Sequence, residues 1–398
     1  MSAFAAKLRR GEACYNPASK MKRAGIYIHI PFCRSRCSYC DFATGIYEGA
    51  LAERYVAAVA REIASFKSAE QRAEIDTIYF GGGTPSLLSP AQVERLLCAV
   101  KERFRLTTNA EVTMEMNPGT LTLDTLREYA QLGVNRASFG AQTFDDRELR
   151  SLGRVHTAAD VRQTISDLRE AGFRNISFDL IAGLPAQTLD AWSRNLDEAL
   201  ALRPNHLSLY LLEVHEGTPL AEQIRRGQQP SPDDDTAAEM FQLMLDRTAT
   251  AGYEHYEISN FCLPGFESRH NTKYWRGLAV YGFGCSAHSF DGARRRWANE
   301  RDAARYTALI EEGRAPVVET IELDEREAQA EAVFLGLRLM RGLSLAAHRE
   351  KFGHDLRAEY AAELARLSEA GLISIKDDWL SLTRQGALLS NEVFSVFV

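Results

Sequence analysis

Cys33, Cys37 and Cys40 fall within eight residues, in a stretch that reads PFCRSRCSYCDF from Pro31 to Phe42. The spacing Cys-x3-Cys-x2-Cys offers three soft thiolate ligands close together in the chain. A structural zinc site takes four ligands, commonly as two pairs, and no second pair follows. Thiolates also hold iron–sulfur clusters. Three of them on a four-iron cluster leave one iron without a protein ligand, open to a substrate or cofactor. The other cysteines, Cys14, Cys98, Cys262 and Cys285, are scattered, making seven in all. An odd and uneven set of this kind points to a metal or catalytic site in a reducing cytosol, not to a disulfide framework.

The elements that must position these residues alternate. From residue 25 to about 220, β-branched or aromatic runs at 26–30, 75–81, 111–116, 135–140, 176–182 and 206–213 are separated by helical patterns. Helices are expected at 55–66, 89–104, 122–132, 158–171 and 188–202; the second opens on Ser89 as cap with Pro90 in the first turn. Six β/α units in series imply parallel strands with right-handed crossovers. Each strand ends on groups that could bind something: the cysteines, then GGGTPS at 81–86, Glu115 with Asn117, Gln142, Asp179 inside its strand, and Glu213. A shared site at the C-terminal ends of the strands is the arrangement of α/β barrels. The expected fold class is therefore α/β, with a barrel-like sheet, whole or partial, favoured over a doubly wound one.

Beyond residue 310 the rhythm changes. Helical stretches at 325–341, 344–352 and 355–370 precede a hairpin at 372–383 with its turn at Asp377 and Asp378, and a last helix starts near 384. This reads as an α+β, winged-helix-like domain. The division expected is a mobile tail at 1–24, the barrel at 25–260, a connecting segment at 261–310 and the C-terminal domain at 311–398. Many acids and no basic stripe argue against nucleic acid; a lid or docking surface over the barrel is the expected role. The 398 residues carry 45% hydrophobic residues and a formal net charge of -7, ordinary for a globular chain and unattractive to anionic membranes. No apolar run approaches the roughly 20 residues of a transmembrane segment, and the basic N-terminus lacks a secretory core. A cytoplasmic protein, peripheral to a membrane only through a partner, is expected, as monomer or dimer.

CRSRCSYC resembles the cluster motif of radical S-adenosylmethionine (SAM) enzymes. The longer IYIHIPFCRSRCSYCDF, with FGGGTPS, ASFGAQTF and FDLIAGLPAQT, is similar to the subgroup around oxygen-independent coproporphyrinogen III oxidase. The resemblance implies a partial (β/α)6 barrel, in agreement with the six units, and implies that Cys33, Cys37 and Cys40 hold a [4Fe-4S] cluster whose fourth iron is chelated by SAM. By the same resemblance Tyr27 and Tyr39 lie against SAM or the cluster, and Gly82, Gly83 and Thr84 form the turn at the methionine amino group. Glu115, Gln142, Arg154 and Asp179 match the family's further SAM contacts. A barrel-core ion pair is the alternative reading of Glu115 and Asp179.

The oxidase extends its motif to a fourth cysteine where this chain has Phe42, so oxidase activity is expected to be absent. CDF, and HNTKYW at 270–275, instead match the heme chaperone group. That implies heme binding, with His270 as candidate iron ligand and His288 as a second candidate, and transfer to an acceptor such as a respiratory membrane protein. A radical SAM enzyme acting on a porphyrinogen, or a radical methyltransferase, is the alternative. No catalytic residue is assigned.

Overall fold

The computed structural model describes residues 23–67 and 73–397. Cys14 and nearly all of the tail expected at 1–24 lie outside the described residues. The chain opens with β1 (Arg23–Ile30) and two short paired segments around the cysteine loop, β2 (Phe32–Cys33) and β3 (Gly45–Ile46). Then come β4 (Glu74–Gly82), β5 (Arg105–Met116), β6 (Arg136–Gln142), β7 (Ile176–Ala182) and β8 (His206–Leu211). The six long strands lie side by side in chain order, every neighbour parallel. They coincide with the six runs read from the sequence.

The crossover helices span Gly49–Ser65, Pro90–Arg103, Leu123–Leu132, Ala158–Glu170 and Leu189–Ala201. Ser89 caps the second through the Gln92 amide N–H, and the Gln92 side chain returns the bond to the Ser89 N–H, so two otherwise unpaired donors are satisfied. Ile26, Ile28, Ile78, Phe80, Met114, Phe139, Phe178 and Leu209 are buried in one continuous core beneath these helices. Burial on both faces explains why the strands read as apolar runs.

The sheet does not stop at six strands. Past β8 it gains β9 (Glu254–Glu257) and β10 (Asn260–Cys262), both antiparallel. On the other side β11 (Val280–Phe283) joins β1 as a further parallel strand, followed by antiparallel β12 (His288–Phe290), β13 (Arg295–Asn299) and β14 (Val317–Glu322). The stretch expected as a connector at 261–310 therefore supplies β11, β12, β13 and most of β10 to a 12-stranded sheet.

The C-terminal unit has its own core, including Val333, Leu337, Leu345, Leu367 and Leu380. It packs helices against a small sheet of β15 (Leu343–Ser344), β16 (Ile373–Lys376) and β17 (Trp379–Leu382). Asp377 and Asp378 both take positive φ in the hairpin turn, as a primed two-residue turn requires. The unit is anchored through Arg338, which pairs with Glu257 at 3.6 Å and covers the Trp275 ring at 4.3 Å. Through β10, β8 and β7, Glu257 lies level with Ser208 and Asp179 in the strand register.

Candidate functional site

Cys33 follows β1 directly, and Cys37 and Cys40 lie on the loop after it; all three thiols are half-buried and unbridged. Burial pushes the Cys33 and Cys40 thiols up, and the Thr84 hydroxyl on Cys33 acts against it. Thr84 Oγ1 donates to Cys33 Sγ at 3.6 Å, and Arg154 Nη1 donates to Cys37 Sγ at 3.5 Å. The turn after β4 runs under this loop. Gly82 has φ +115°, a conformation few other residues tolerate. A side chain on Gly83 would strike the Phe32 carbonyl oxygen at 2.8 Å and Cys33 Sγ at 3.0 Å. The glycines therefore hold the backbone of β4 against the cysteine loop.

Polar groups from adjacent strands fill the space between. Asn117, just past β5, donates from Nδ2 to Thr84 Oγ1 at 2.9 Å, and its Oδ1 accepts from Arg154 Nη2 at 3.0 Å. Arg154 Nη2 also donates to the Gly140 carbonyl at 2.6 Å. Glu115 accepts from the Gly82 N–H at 3.1 Å and from the Tyr79 hydroxyl at 2.7 Å. Desolvation, then the Asp179 charge, push the Glu115 carboxyl up to about 7. Desolvation raises Asp179 to about 6, while the Ser208 hydroxyl, Arg136 and Arg154 pull it down. Tyr39 is held up by burial next to Arg154, Cys37 and Cys40. Tyr27 is raised by burial and by the Glu115 charge, and its hydroxyl bonds His29 Nδ1 at 3.0 Å. Gln142 ends β6 with φ +65° and pairs with Leu180, beside Asp179. The expected SAM residues thus gather around the cysteine loop.

His270 does not join them. It is 1% exposed, and both ring nitrogens are engaged: Nδ1 with Thr77 Oγ1 at 2.9 Å and Nε2 with the Tyr274 hydroxyl at 3.2 Å. Its backbone N–H donates to Glu111 at 3.1 Å, and its ring packs on Tyr79 at 5.1 Å. Burial, then Lys273, drive its pKa down to about 3, so the ring is neutral. Thr77, in the first half of β4, is the register partner of Glu111 on β5. In this arrangement both His270 nitrogens are held by hydroxyl groups of the chain. What it does is brace Tyr274, whose ring faces a cavity of about 310 Å³ next to the cysteine loop.

Residues 27–199 match the radical SAM superfamily, and 323–389 match the HemN C-terminal domain. The heme chaperone HemW of Bacillus subtilis is 37% identical over 373 residues, covering 94% of this chain and 98% of that one. The chain belongs to the HemW family of radical SAM proteins. A bovine protein named radical S-adenosyl methionine domain-containing protein 1, mitochondrial, is 34% identical over 397 residues, 96% of this chain and 89% of its own. The solved structure of coproporphyrinogen III oxidase HemN from Escherichia coli superposes with a TM-score of 0.82 at 25% identity, over 95% of this chain and 90% of that one.

Radical SAM membership implies a [4Fe-4S] cluster and SAM, and the residues fit them. Among the described residues no three His, Cys, Asp or Glu side chains are placed to share one metal ion. In a cubane each thiolate takes a different iron, and three thiols on one short loop suit that. The glycine turn leaves room where a Cβ would collide, and the buried Arg154 Nε has no partner. Three contributors in this HemW-family chain were not read from the sequence as site residues. Tyr79 hides among apolar neighbours on β4. Asn117 was seen only as a strand end. Arg136 is 2% exposed inside β6, and a charge within an otherwise apolar strand was the signal available for it.

Proposed function

We propose that this chain is a heme chaperone: it holds a [4Fe-4S] cluster and SAM, binds heme, and passes it to an acceptor protein, for which a respiratory membrane protein is the candidate. The observation that carries this reading is the near end-to-end relation to a protein named heme chaperone HemW. Phe42 supports it, since it stands, 64% exposed, where the oxidase pattern has a fourth cysteine.

In this reading Cys33, Cys37 and Cys40 each take one iron. Thr84 and Arg154 donate to the thiolate sulfurs, which stabilises the anionic form and tunes the cluster. Arg154 suits the SAM carboxylate, and Glu115 and Asp179 suit its amino group and ribose hydroxyls; Gly82, Gly83, Gln142, Tyr27 and Tyr39 complete the pocket. When bound, the cluster and SAM supply one-electron chemistry; the chain orients them and keeps water out. No helix among the described residues is long and apolar enough to cross a membrane, so delivery to a membrane acceptor would go through contact with that acceptor.

The likeness to HemN favours one rival, porphyrinogen oxidation. Anaerobic protein with a full cluster should bind hemin in a one-to-one ratio, transfer it to heme-depleted respiratory membranes, and release no protoporphyrinogen from coproporphyrinogen III. Turnover of coproporphyrinogen at an enzyme-like rate, or failure to bind hemin, overturns the proposal.

A further inference from the structure

Alternation along β6 sends Ala137 and Phe139 into the core beneath the helices, so Arg136, Ser138 and Gly140 point into the barrel. In the same way Met114 and Met116, and Phe178 and Leu180, lie on the helix side, and Glu115 and Asp179 point inwards. The register sets their order. Arg136 is level with Thr113, Ser138 with Glu115, and Gly140 with Asp179. Arg136 thus enters the interior one inward-facing position before Glu115 and two before Asp179.

Arg136 is 2% exposed, yet among the described residues no carboxylate closes an ion pair with it, and its Nε is buried without a partner. Arginine keeps its charge at any pH a protein meets, and a buried charge without a direct partner is costly. Other charges must therefore hold it. The two imidazoles nearby carry none. His206 bonds Ser177 Oγ and the Tyr256 hydroxyl, each at 2.8 Å, and burial, then Arg136, keep its ring neutral. His270 is neutral as well. Lys273 is spent on Asp76. Arg154 donates to the Gly140 carbonyl, Asn117 and Cys37.

Glu115 and Asp179 are the charges that Arg136 serves. Burial and the Asp179 charge raise the Glu115 carboxyl, while the Tyr79 hydroxyl, the Gly82 N–H and Arg136 lower it. Burial raises Asp179, while the Ser208 hydroxyl, Arg136 and Arg154 lower it. Arg136 is the cation common to both. The phenols around the pair, Tyr27, Tyr79, Tyr210 and Tyr274, are raised by burial and stay neutral, as does Tyr39 near Asp179. Cys33, which acts on Glu115 from the cysteine loop, adds negative charge as a thiolate.

We propose that Arg136 is a positioning residue for SAM: its guanidinium is the counter-charge that keeps Glu115 and Asp179 ionised, and so able to accept from the amino group and ribose hydroxyls of SAM. This role rests on the reading of those two carboxylates as SAM contacts. It also accounts for a buried arginine without a direct partner, since attraction inside a protein acts over distances at which water would damp it.

The test is the SAM affinity of anaerobic, cluster-loaded protein, read from the SAM-induced change in the EPR of the reduced cluster between about pH 6 and 9. Arg136→Met should bind SAM about tenfold more weakly at pH 7, as expected when the carboxyls rise by about one pKa unit, and the gap should close towards pH 9. Arg136→Lys should restore most of the affinity, with cluster content and circular dichroism unchanged throughout. In protein already carrying Glu115→Gln, adding Arg136→Met should cost about threefold at most, because much of the charge it serves is gone. That pair removes one charge of each sign, so it remains a test where the single variant does not fold. No loss of affinity, a loss of equal size at every pH, or a loss undiminished by Glu115→Gln overturns the role of Arg136. If Glu115→Gln and Asp179→Asn bind SAM as the wild type does, the reading of the carboxylates falls with it.

Discussion

The two ends of the parallel strands are finished differently. At the N-terminal ends buried Lys273 pairs with Asp76 at 2.5 Å, Glu111 accepts two backbone N–H groups of the segment before the 271–275 helix, and His270 spends both ring nitrogens. At the C-terminal ends three thiols stand half-buried, Arg154 Nε lacks a partner, Gln142 is held in a left-handed conformation, and Phe42, Ile46 and Val155 are each more than half exposed. Half-buried thiols beside exposed apolar side chains at the C-terminal ends of the strands are what a bound ligand would cover. The contrast explains how two histidines of the same protein come to differ: His270 serves stability at the floor, and His288 stands at the mouth.

The sharpest break of that contrast is at the mouth. Cys37→Ser should abolish the visible absorption and EPR of the reconstituted cluster, while thermal unfolding of the apoprotein barely changes; a retained cluster would refute the ligand assignment. At the floor the reverse is expected. Asp76→Ala leaves the Lys273 ammonium buried without its partner and should cost about 3 kcal/mol in urea unfolding, with cluster loading per folded molecule unchanged. A loss below about 1 kcal/mol would mean that the floor is less critical than its burial implies.

Glu62, which pins the turn before His288, adds a pH signature. Burial raises its pKa from 4.5 to about 7 against the pull of Tyr306, Gly284 and Asn299. Between those values the folded chain holds a proton that the unfolded chain has released. Stability should therefore fall as pH rises from about 4.5 through 7, by about 3 kcal/mol at most, and the fall should be missing in Glu62→Gln. A parallel profile in the two proteins would rule out Glu62 as its source. The smallest stability effect is expected for Phe42→Ala, within about 0.5 kcal/mol because the ring is exposed, yet hemin affinity should drop severalfold. Loss of stability without loss of affinity would mean that Phe42 serves packing and not ligand binding.

The six parallel strands were legible because burial on both faces leaves apolar runs with ligand-type residues at one end. β14 was not, since every one of its residues is exposed and an edge strand carries no such pattern. β11 is four residues with a glycine, too short to stand out. The cysteine loop was legible from spacing alone. HNTKYW places His270 and Tyr274 four apart, so that they meet on a helical turn, a spacing that serves a histidine braced on Tyr274 as well as one facing iron. His288 is placed by a turn whose left-handed residue, Ser286, has no sequence signal.

The most direct test of the central claim is EPR of the reduced, reconstituted cluster with and without SAM. A SAM-induced change in the signal, present in wild type and lost when Arg154 is replaced by Ala, is the predicted result: three thiolates, one open iron, and SAM upon it. A reduced cluster whose spectrum is indifferent to SAM, or a colourless protein carrying zinc in place of iron, would contradict it.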